Sequence, residues 1–436
     1  MLVLKFGGTS VATADALRAV ASIIDDRRGE TDGIIVVLSA TSGTTTQLLD
    51  ITRQAGSGES YRSALDDLLN RHRSIATELL GSATFIEELC DACLDYADAV
   101  ASLGEWNTAT LDGMAAFGEL FSSTVLHHFL IQSGMVSSLI DARALIVHDS
   151  DAHTVDREAT ALRCTDRLSP VLQAGNVIVT QGFIASDHQG RTVTLGRGGS
   201  DYSAAIIGAS IKAREILIYT DVSGVYSADP RIVRDARPLP SIPFEQMKEM
   251  ALYGAKVLHP ETITPAVQAG IPVRVLNTFS PSDEGTYLTA ATVTSTDSCA
   301  VSLLRNVTII TGDAELANHL RAQSSLRKHI VLSHGTFHWS MTAVLISDEM
   351  INRQLEIAVL NHEHTKRSAS MVIVTGCEAD TAHTARMISA ELETLQGRAR
   401  IMPMSDSCIA AIVDPEGADD CARALHAVVT RRPDQA

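Results

Sequence analysis

The sequence predicts an α/β protein: a mostly parallel sheet sandwiched by helices, followed by two small ferredoxin-like β-α-β-β-α-β units. Three observations carry this. Short apolar runs alternate with helical patterns up to residue 276, the order of a parallel sheet covered on both faces. Between Thr278 and Ser298 the composition turns to Ser, Thr, Pro, Asp and Gly, which reads as a linker. Beyond it, two similar cycles of short strands and helices follow.

Residues 2–6 read as a buried strand and Gly7-Gly8-Thr9-Ser10 as a turn; Thr13 or Asp15 caps the next helix, through Asp26. Residues 34–38 form a second apolar strand running into Ser39-Ala40-Thr41-Ser42-Gly43-Thr44-Thr45-Thr46. Small, hydroxyl- and glycine-rich loops after both strands suit a site at the strand ends. Leu65, Leu68, Leu69, Ile75 and Leu79, then Leu89, Leu94 and Val100, recur at helical spacing and give two helices. Glu119 lies in another helix ending near Gly134, and 136–140 and 177–184 are strand patterns. Strand 216–220 precedes Asp221-Val222-Ser223-Gly224-Val225-Tyr226 and Asp229-Pro230-Arg231; 251–259 and 265–270 read as helical, and strand 273–276 closes the set. The first C-terminal cycle is 301–310, a helix from Ala314, 329–333, 342–347 and a helix from Met350. The second is 371–376, a helix over 381–395, 399–404, 409–413 and a helix over 418–429.

A chain of 436 residues suggests two or three domains. Its formal net charge of −17 argues against a nucleic-acid partner, which needs a basic surface. Seven cysteines without framework spacing fit a reduced cytoplasm, and Cys90-x-x-Cys93 reads as two helix residues one turn apart. With no signal peptide and no apolar run long enough for a bilayer, a soluble cytoplasmic protein is expected, with no membrane partner. The histidine runs His127-His128 and His362-Glu363-His364 read as surface or core residues rather than metal ligands.

The chemically densest stretch is Thr194-Leu195-Gly196-Arg197-Gly198-Gly199-Ser200-Asp201-Tyr202-Ser203-Ala204-Ala205. A glycine turn there puts a cation, a hydroxyl and a carboxylate just ahead of a helix, whose first N–H groups favour anions. The loop suits a small zwitterion whose carboxylate needs Arg197 and whose charge must face a phosphate. The same residues also make an ordinary strand–turn–helix corner.

Four motifs in order then carry a family resemblance. Lys5-Phe6-Gly7-Gly8-Thr9-Ser10, the 194–205 loop, Thr220-Asp221-Val222-x-Gly224-Val225-Tyr226 with Asp229-Pro230-Arg231, and Gly254-Ala255-Lys256-Val257-Leu258-His259-Pro260 together resemble the aspartate kinases of the amino-acid kinase family. No G-x-x-x-x-G-K-[ST] P-loop is present. The resemblance implies ATP-dependent phosphorylation of the L-aspartate side chain, with Mg²⁺ accompanying the nucleotide. The acceptor carboxylate, with an unperturbed pKa of about 3.9, needs no general base. It implies Lys5 and Asp201 as catalytic residues and Ser39, Thr45, Glu119, Arg197 and Ser200 around aspartate. Gly7, Gly8, Thr220, Asp221, Tyr226, Asp229, Arg231 and Lys256 would serve the nucleotide. It also implies a catalytic domain over 1–286, a linker over 287–297, and paired ACT units, 306–370 and 298–305 with 371–436, that build a homodimer. In the ACT units Thr311-Gly312-Asp313-Ala314-Glu315-Leu316 and Thr375-Gly376-Cys377-Glu378-Ala379-Asp380 depart from the family's effector loops, so weak lysine or threonine feedback is expected. The competing readings are a kinase of the same fold for another amino-acid carboxylate, and a non-catalytic amino-acid sensor.

Overall fold

The computed structural model describes residues 1–253, 258, 260–289, 299–312, 331–334, 340–344, 364–376, 381–394, 399–405 and 408–430. At its centre lies β1 (Leu2–Phe6), whose five residues are all buried. It pairs in parallel with β2 (Ile34–Leu38) on one side and β9 (Glu215–Thr220) on the other. Continuous apolar runs such as Ile-Ile-Val-Val-Leu in β2 are what strands covered on both faces require. With β3 (Ser137–Leu139), β6 (Val177–Gln181), β10 (Ser241–Pro243), β11 (Val273–Asn277) and β12 (Thr286–Thr289), the eight-stranded order is β10-β12-β11-β9-β1-β2-β6-β3. The connections reverse direction at β1, so the carboxyl ends of β1, β2 and β9 flank the crevice where such sheets bind ligands.

Residue alternation in β1 divides the two helical layers. Leu2, Leu4 and Phe6 join the core made with α1 (Ala14–Arg28), α2 (Thr44–Gly56), α3 (Arg62–Leu80), α4 (Glu87–Leu103) and α5 (Thr108–Gln132). Val3 points instead toward α7 (Gly199–Ser210), near Gly208, whose missing side chain leaves room for Ile216, and Lys5 lies on the same strand face as Val3. That layer also holds α6 (Arg157–Gln173) and α9 (Pro260–Gln268), packed on α7. Thr13 caps α1 by accepting from the Ala16 N–H at 3.1 Å, and Asn107 with Thr110 forms a capping box on α5.

Three stretches differ from the sequence expectation. Residues 177–184 are not one strand: β6 stops at Gln181, and β7 (Ile184–Asp187) belongs to a separate sheet, ordered β5-β4-β7-β8 with β4 (Val147–Asp149), β5 (Thr154–Val155) and β8 (Thr192–Thr194). The break is Phe183, whose φ of 66° takes it out of extended backbone. Of the helix expected over 251–259, only the start coincides with α8 (Phe244–Leu252), which begins earlier; Tyr253 is a turn, and 254–257 and 259 lie outside the described residues. The front of the segment that reads as linker is β12, antiparallel to β11, with Thr286 and Leu288 buried; its Thr-Tyr-Leu-Thr composition suits a half-buried strand.

The chain divides into two units, the first comprising Met1–Val225, Pro240–Phe244 and Leu258–Ala291. In the second, β13 (Ala300–Gly312), β14 (Val331–His334), β15 (Ser340–Val344), β16 (His364–Thr375), β17 (Ala399–Ser405) and β18 (Cys408–Val413) form one antiparallel sheet, ordered β14-β15-β13-β16-β18-β17. The helices α10 (Thr381–Thr394) and α11 (Ala418–Thr430) accompany it. The helices expected from Ala314 and Met350 fall outside the described residues. The stretch Tyr226–Leu239 belongs to this unit. Its Ala228 and Val233 share a core with Val372, Ile388, Cys421 and Leu425, and Ser227 Oγ lies 2.9 Å from His426 Nε2.

The six described cysteines are free and buried. Burial pushes Cys90 up to about 11 and Cys93, Cys164, Cys408 and Cys421 up to about 12, so none of these five carries reactive thiolate near neutral pH. A Cys377→Ser variant is therefore expected to take up no aromatic disulfide reagent until it is unfolded. Rapid release of thiolate chromophore from the native protein would contradict that burial. Among the described residues, no helix is long and apolar enough to cross a membrane.

Candidate active site

One cavity of about 300 Å³ opens at the carboxyl ends of the central strands. Lys5, Ser39, Ala40, Thr45 and Glu119 line one part of it. Phe183 and the run Gly196 to Asp201 line the rest. Every residue assigned by resemblance to catalysis or to aspartate is therefore in one place.

Lys5 is the one charged side chain in β1 and is only 9% exposed. A buried ammonium requires a counter-charge, and Asp201 supplies it, with Lys5 Nζ 2.7 Å from Oδ1. Asp201 sits in the first turn of α7, where the helix dipole favours a carboxylate. Gly198 caps that helix at φ 71°, a left-handed conformation that costs glycine nothing, and so aims the α7 N-terminus at the cavity. Arg197, on the same loop, is exposed, and among the described residues no carboxylate lies in ion-pair range of it.

Glu119 reaches the cavity from α5. Its neighbour Gly118 has no side chain to separate the helix from the 39–46 loop; a Cβ there would stand 2.7 Å from that of Ala40. The close approach lets Glu119 Oε1 accept the Ala40 N–H at 3.0 Å. Its second oxygen, Oε2, is buried with no hydrogen-bond partner. Burial pushes the Glu119 carboxyl up to about 8, the expected response of an acid held from water without a cation.

The sequence reading did not single out Phe183 or Ala40. Phe183 stands at a left-handed backbone position that costs about 1–2 kcal/mol for an L-residue. It is held there because its N–H donates to Ser203 Oγ at 3.0 Å and its carbonyl accepts from the Leu195 N–H at 2.7 Å. Only Gly182-Phe183 at a strand end hinted at this. Asp112, two turns before Glu119 on α5, accepts from Thr194 Oγ1 at 2.7 Å and anchors the strand leading into the Arg197 loop.

The residues assigned to the nucleotide are more scattered. The Gly7 N–H already donates to the Tyr219 carbonyl at 3.1 Å, so Gly7 provides space beside Lys5 rather than a free donor. Gly8 continues the same loop, and the Ser42 N–H donates to its carbonyl at 3.1 Å. Thr220 and Asp221 end β9, with Thr220 Oγ1 donating to Asp221 at 3.1 Å. Tyr226, Asp229 and Arg231 belong to the second unit, where Arg231 makes a two-point contact with Asp229. Lys256 lies outside the described residues.

Residues 1–277 match the Amino acid kinase family. An aspartokinase of Chlamydia trachomatis is 38% identical over 307 residues, covering 70% of this chain and 68% of that protein. The lysine-sensitive aspartokinase 3 of Escherichia coli is 35% identical over 315 residues, covering 71% and 69%. A solved structure of E. coli aspartokinase III in complex with aspartate and ADP superposes with a TM-score of 0.80 at 28% identity, over 99% of this chain and 100% of that one. A cavity joining a buried lysine, an unpaired arginine and an orphaned glutamate oxygen thus coincides with whole-chain similarity: the chain belongs to the amino acid kinase family and, within it, to the aspartokinases.

Proposed function

We propose that this cavity holds L-aspartate with its side-chain carboxylate turned toward Lys5 and the terminal phosphate of ATP. The observation that carries the reading is the orphaned Glu119 Oε2 in the same cavity as the unpaired Arg197. A zwitterion answers both: its ammonium gives Glu119 the missing donor, and its α-carboxylate meets the planar Arg197 fork. Ser39, Thr45 and Ser200 offer hydroxyls to the remaining oxygens.

The acceptor is an anion at neutral pH, so no group need take a proton from it. The obstacle is repulsion between that anion and the triphosphate. Lys5 places an ammonium between them, the α7 N-terminus adds main-chain donors, and Asp201 holds Lys5 in position. ATP is taken as its Mg²⁺ complex. The cation is assigned mainly to the phosphates. Thr220 and Asp221 are assigned to the nucleotide from their place at the end of β9. For Tyr226, Asp229, Arg231 and Lys256 that role rests on motif resemblance, as does a homodimer built through the C-terminal units.

A hydroxamate assay with ATP tests the acceptor. Turnover on aspartate is expected to exceed that on glutamate by at least about 100-fold, because an extra methylene displaces the reacting carboxylate. Equal turnover on the two would refute the assignment. The divergent sequences 311–316 and 375–380 support weak feedback. Lysine and threonine titrated into the same assay should then leave most of the activity, and strong inhibition by either at modest concentration would reject that part.

A further inference from the structure

Residues 39–46, the loop after β2 and the first turn of α2, supply Ser39, Ala40 and Thr45 to the cavity. The main chain of this stretch is tied at Ser39 N–H to the Phe6 carbonyl and at Ser42 N–H to the Gly8 carbonyl, both at 3.1 Å. Behind it, away from the cavity lining, lies a second set of contacts. Arg71 Nη2 is 2.6 Å from Thr44 Oγ1, Thr44 Oγ1 is 2.5 Å from Thr41 Oγ1, Thr41 Oγ1 is 3.2 Å from His72 Nε2, and His72 Nδ1 is 2.8 Å from the Leu68 carbonyl.

The chemistry of the two ends orients every link. A guanidinium only donates, so Thr44 accepts from Arg71. A carbonyl only accepts, so His72 carries its proton on Nδ1, and Nε2 of the neutral ring accepts from the Thr41 hydroxyl. The Thr44 hydroxyl then donates to Thr41. Burial keeps the ring neutral, pushing His72 down to about 4, and Phe121 stacks on it at 4.7 Å. Thr41, Thr44 and His72 are buried, so an unmatched hydroxyl among them is costly.

We propose that Arg71, Thr44, Thr41 and His72 form a one-directional hydrogen-bond chain that sets the 39–46 loop and thereby the affinity for the amino-acid substrate. All four are positioning residues: none lines the cavity. Thr41 adjoins Ala40, which engages Glu119, and Thr44 adjoins Thr45, so the chain pins both sides of the substrate-facing stretch. α3, which carries Arg71 and His72, thus acts on a site it does not touch.

The inference rests on aspartate occupying the cavity, and the experiment separates the two. If wild type does not turn over aspartate, the substrate reading itself fails. Given wild-type turnover, Thr41→Val keeps the shape and removes the hydroxyl. It is expected to raise KM for aspartate about 10-fold, since small displacements of a positioning loop have effects of that order, while KM for ATP stays within about twofold. Thr41→Ser, which restores the hydroxyl, should return KM for aspartate to within about threefold of wild type. Arg71→Met, at a half-exposed position able to tolerate it, should reproduce the KM split and carries the test if Thr41→Val does not fold. An unchanged aspartate KM, a parallel rise in both KM values, or failure of Thr41→Ser to rescue would each overturn the proposal.

Discussion

Replacing Lys5 with methionine is expected to lower kcat roughly 100- to 1,000-fold, the range seen when one preorganised donor to a developing charge is removed. Lys5 is held in the central strand, nearly excluded from solvent, with Asp201 2.7 Å away. Among the described residues, no other lysine lines the cavity. The substitution also strips Asp201 of its counter-charge, and an uncompensated, largely buried carboxylate costs about 3 kcal/mol. Loss of stability and loss of catalysis must therefore be separated. Adding Asp201→Asn to Lys5→Met removes the stranded charge. The double variant should recover much of the lost Tm while kcat stays low, a coupling visible in a double-mutant cycle. A double variant that regains turnover along with stability would place Lys5 in the scaffold and not in the chemistry.

The second large effect follows from the Glu119 carboxyl, pushed up to about 8 by burial. The empty site holds a proton there at neutral pH, whereas an ammonium ligand requires the ionised form. Below about pH 8, kcat/KM for aspartate is expected to rise up to tenfold per pH unit and then level off, as proton release is linked to binding. Among the described residues, no histidine lines the cavity, and the Glu119→Gln variant assigns the profile. Glu119→Gln should lower kcat/KM by about 100-fold or more, through loss of a buried charge-assisted contact, and should flatten the profile.

Stability must move in the opposite sense. Between the unfolded carboxyl value and about 8, the folded chain keeps a proton that the unfolded chain has lost. Folding is then favoured less as pH rises through that window, and the slope ends once both states are ionised. Thermal unfolding from pH 6 to 9 should show that decline in wild type, with aspartate relieving it and Glu119→Gln lacking it. A wild-type Tm independent of pH, together with a flat aspartate profile, would remove the argument.

Parts of this site were legible because their chemistry is contiguous. Gly196 to Asp201 puts cation, hydroxyl and carboxylate within six residues, and Lys5-Phe6-Gly7-Gly8 puts an ammonium at a strand end. Glu119 was recoverable only through family resemblance, since alone it is one polar residue on an apolar helix; its meaning comes from Ala40, 79 positions away. Arg71 and His72 are likewise ordinary members of an amphipathic helix until α3 is laid beside the 39–46 loop. The misread strand over 177–184 has a similar cause. An apolar run does not reveal that Phe183 adopts a left-handed backbone, because the contacts enforcing it come from Ser203 and Leu195. The hidden strand β12, set between β10 and β11, shows composition overruled by pairing, because a polar stretch joins a sheet when its neighbours offer unpaired main chain.

The burial of Ala228 and Val233 among side chains from the carboxyl-terminal third of the chain bears on how genes of this kind can be cut and joined. A truncation after the last strand of the large sheet would sever Ser227 from His426 and leave both apolar residues facing water. The phosphotransferase portion is thus not a freely exchangeable module. Recombination that swaps the tail must also carry a matching 226–239 segment from inside the other part, which ties the inheritance of two stretches nearly two hundred positions apart.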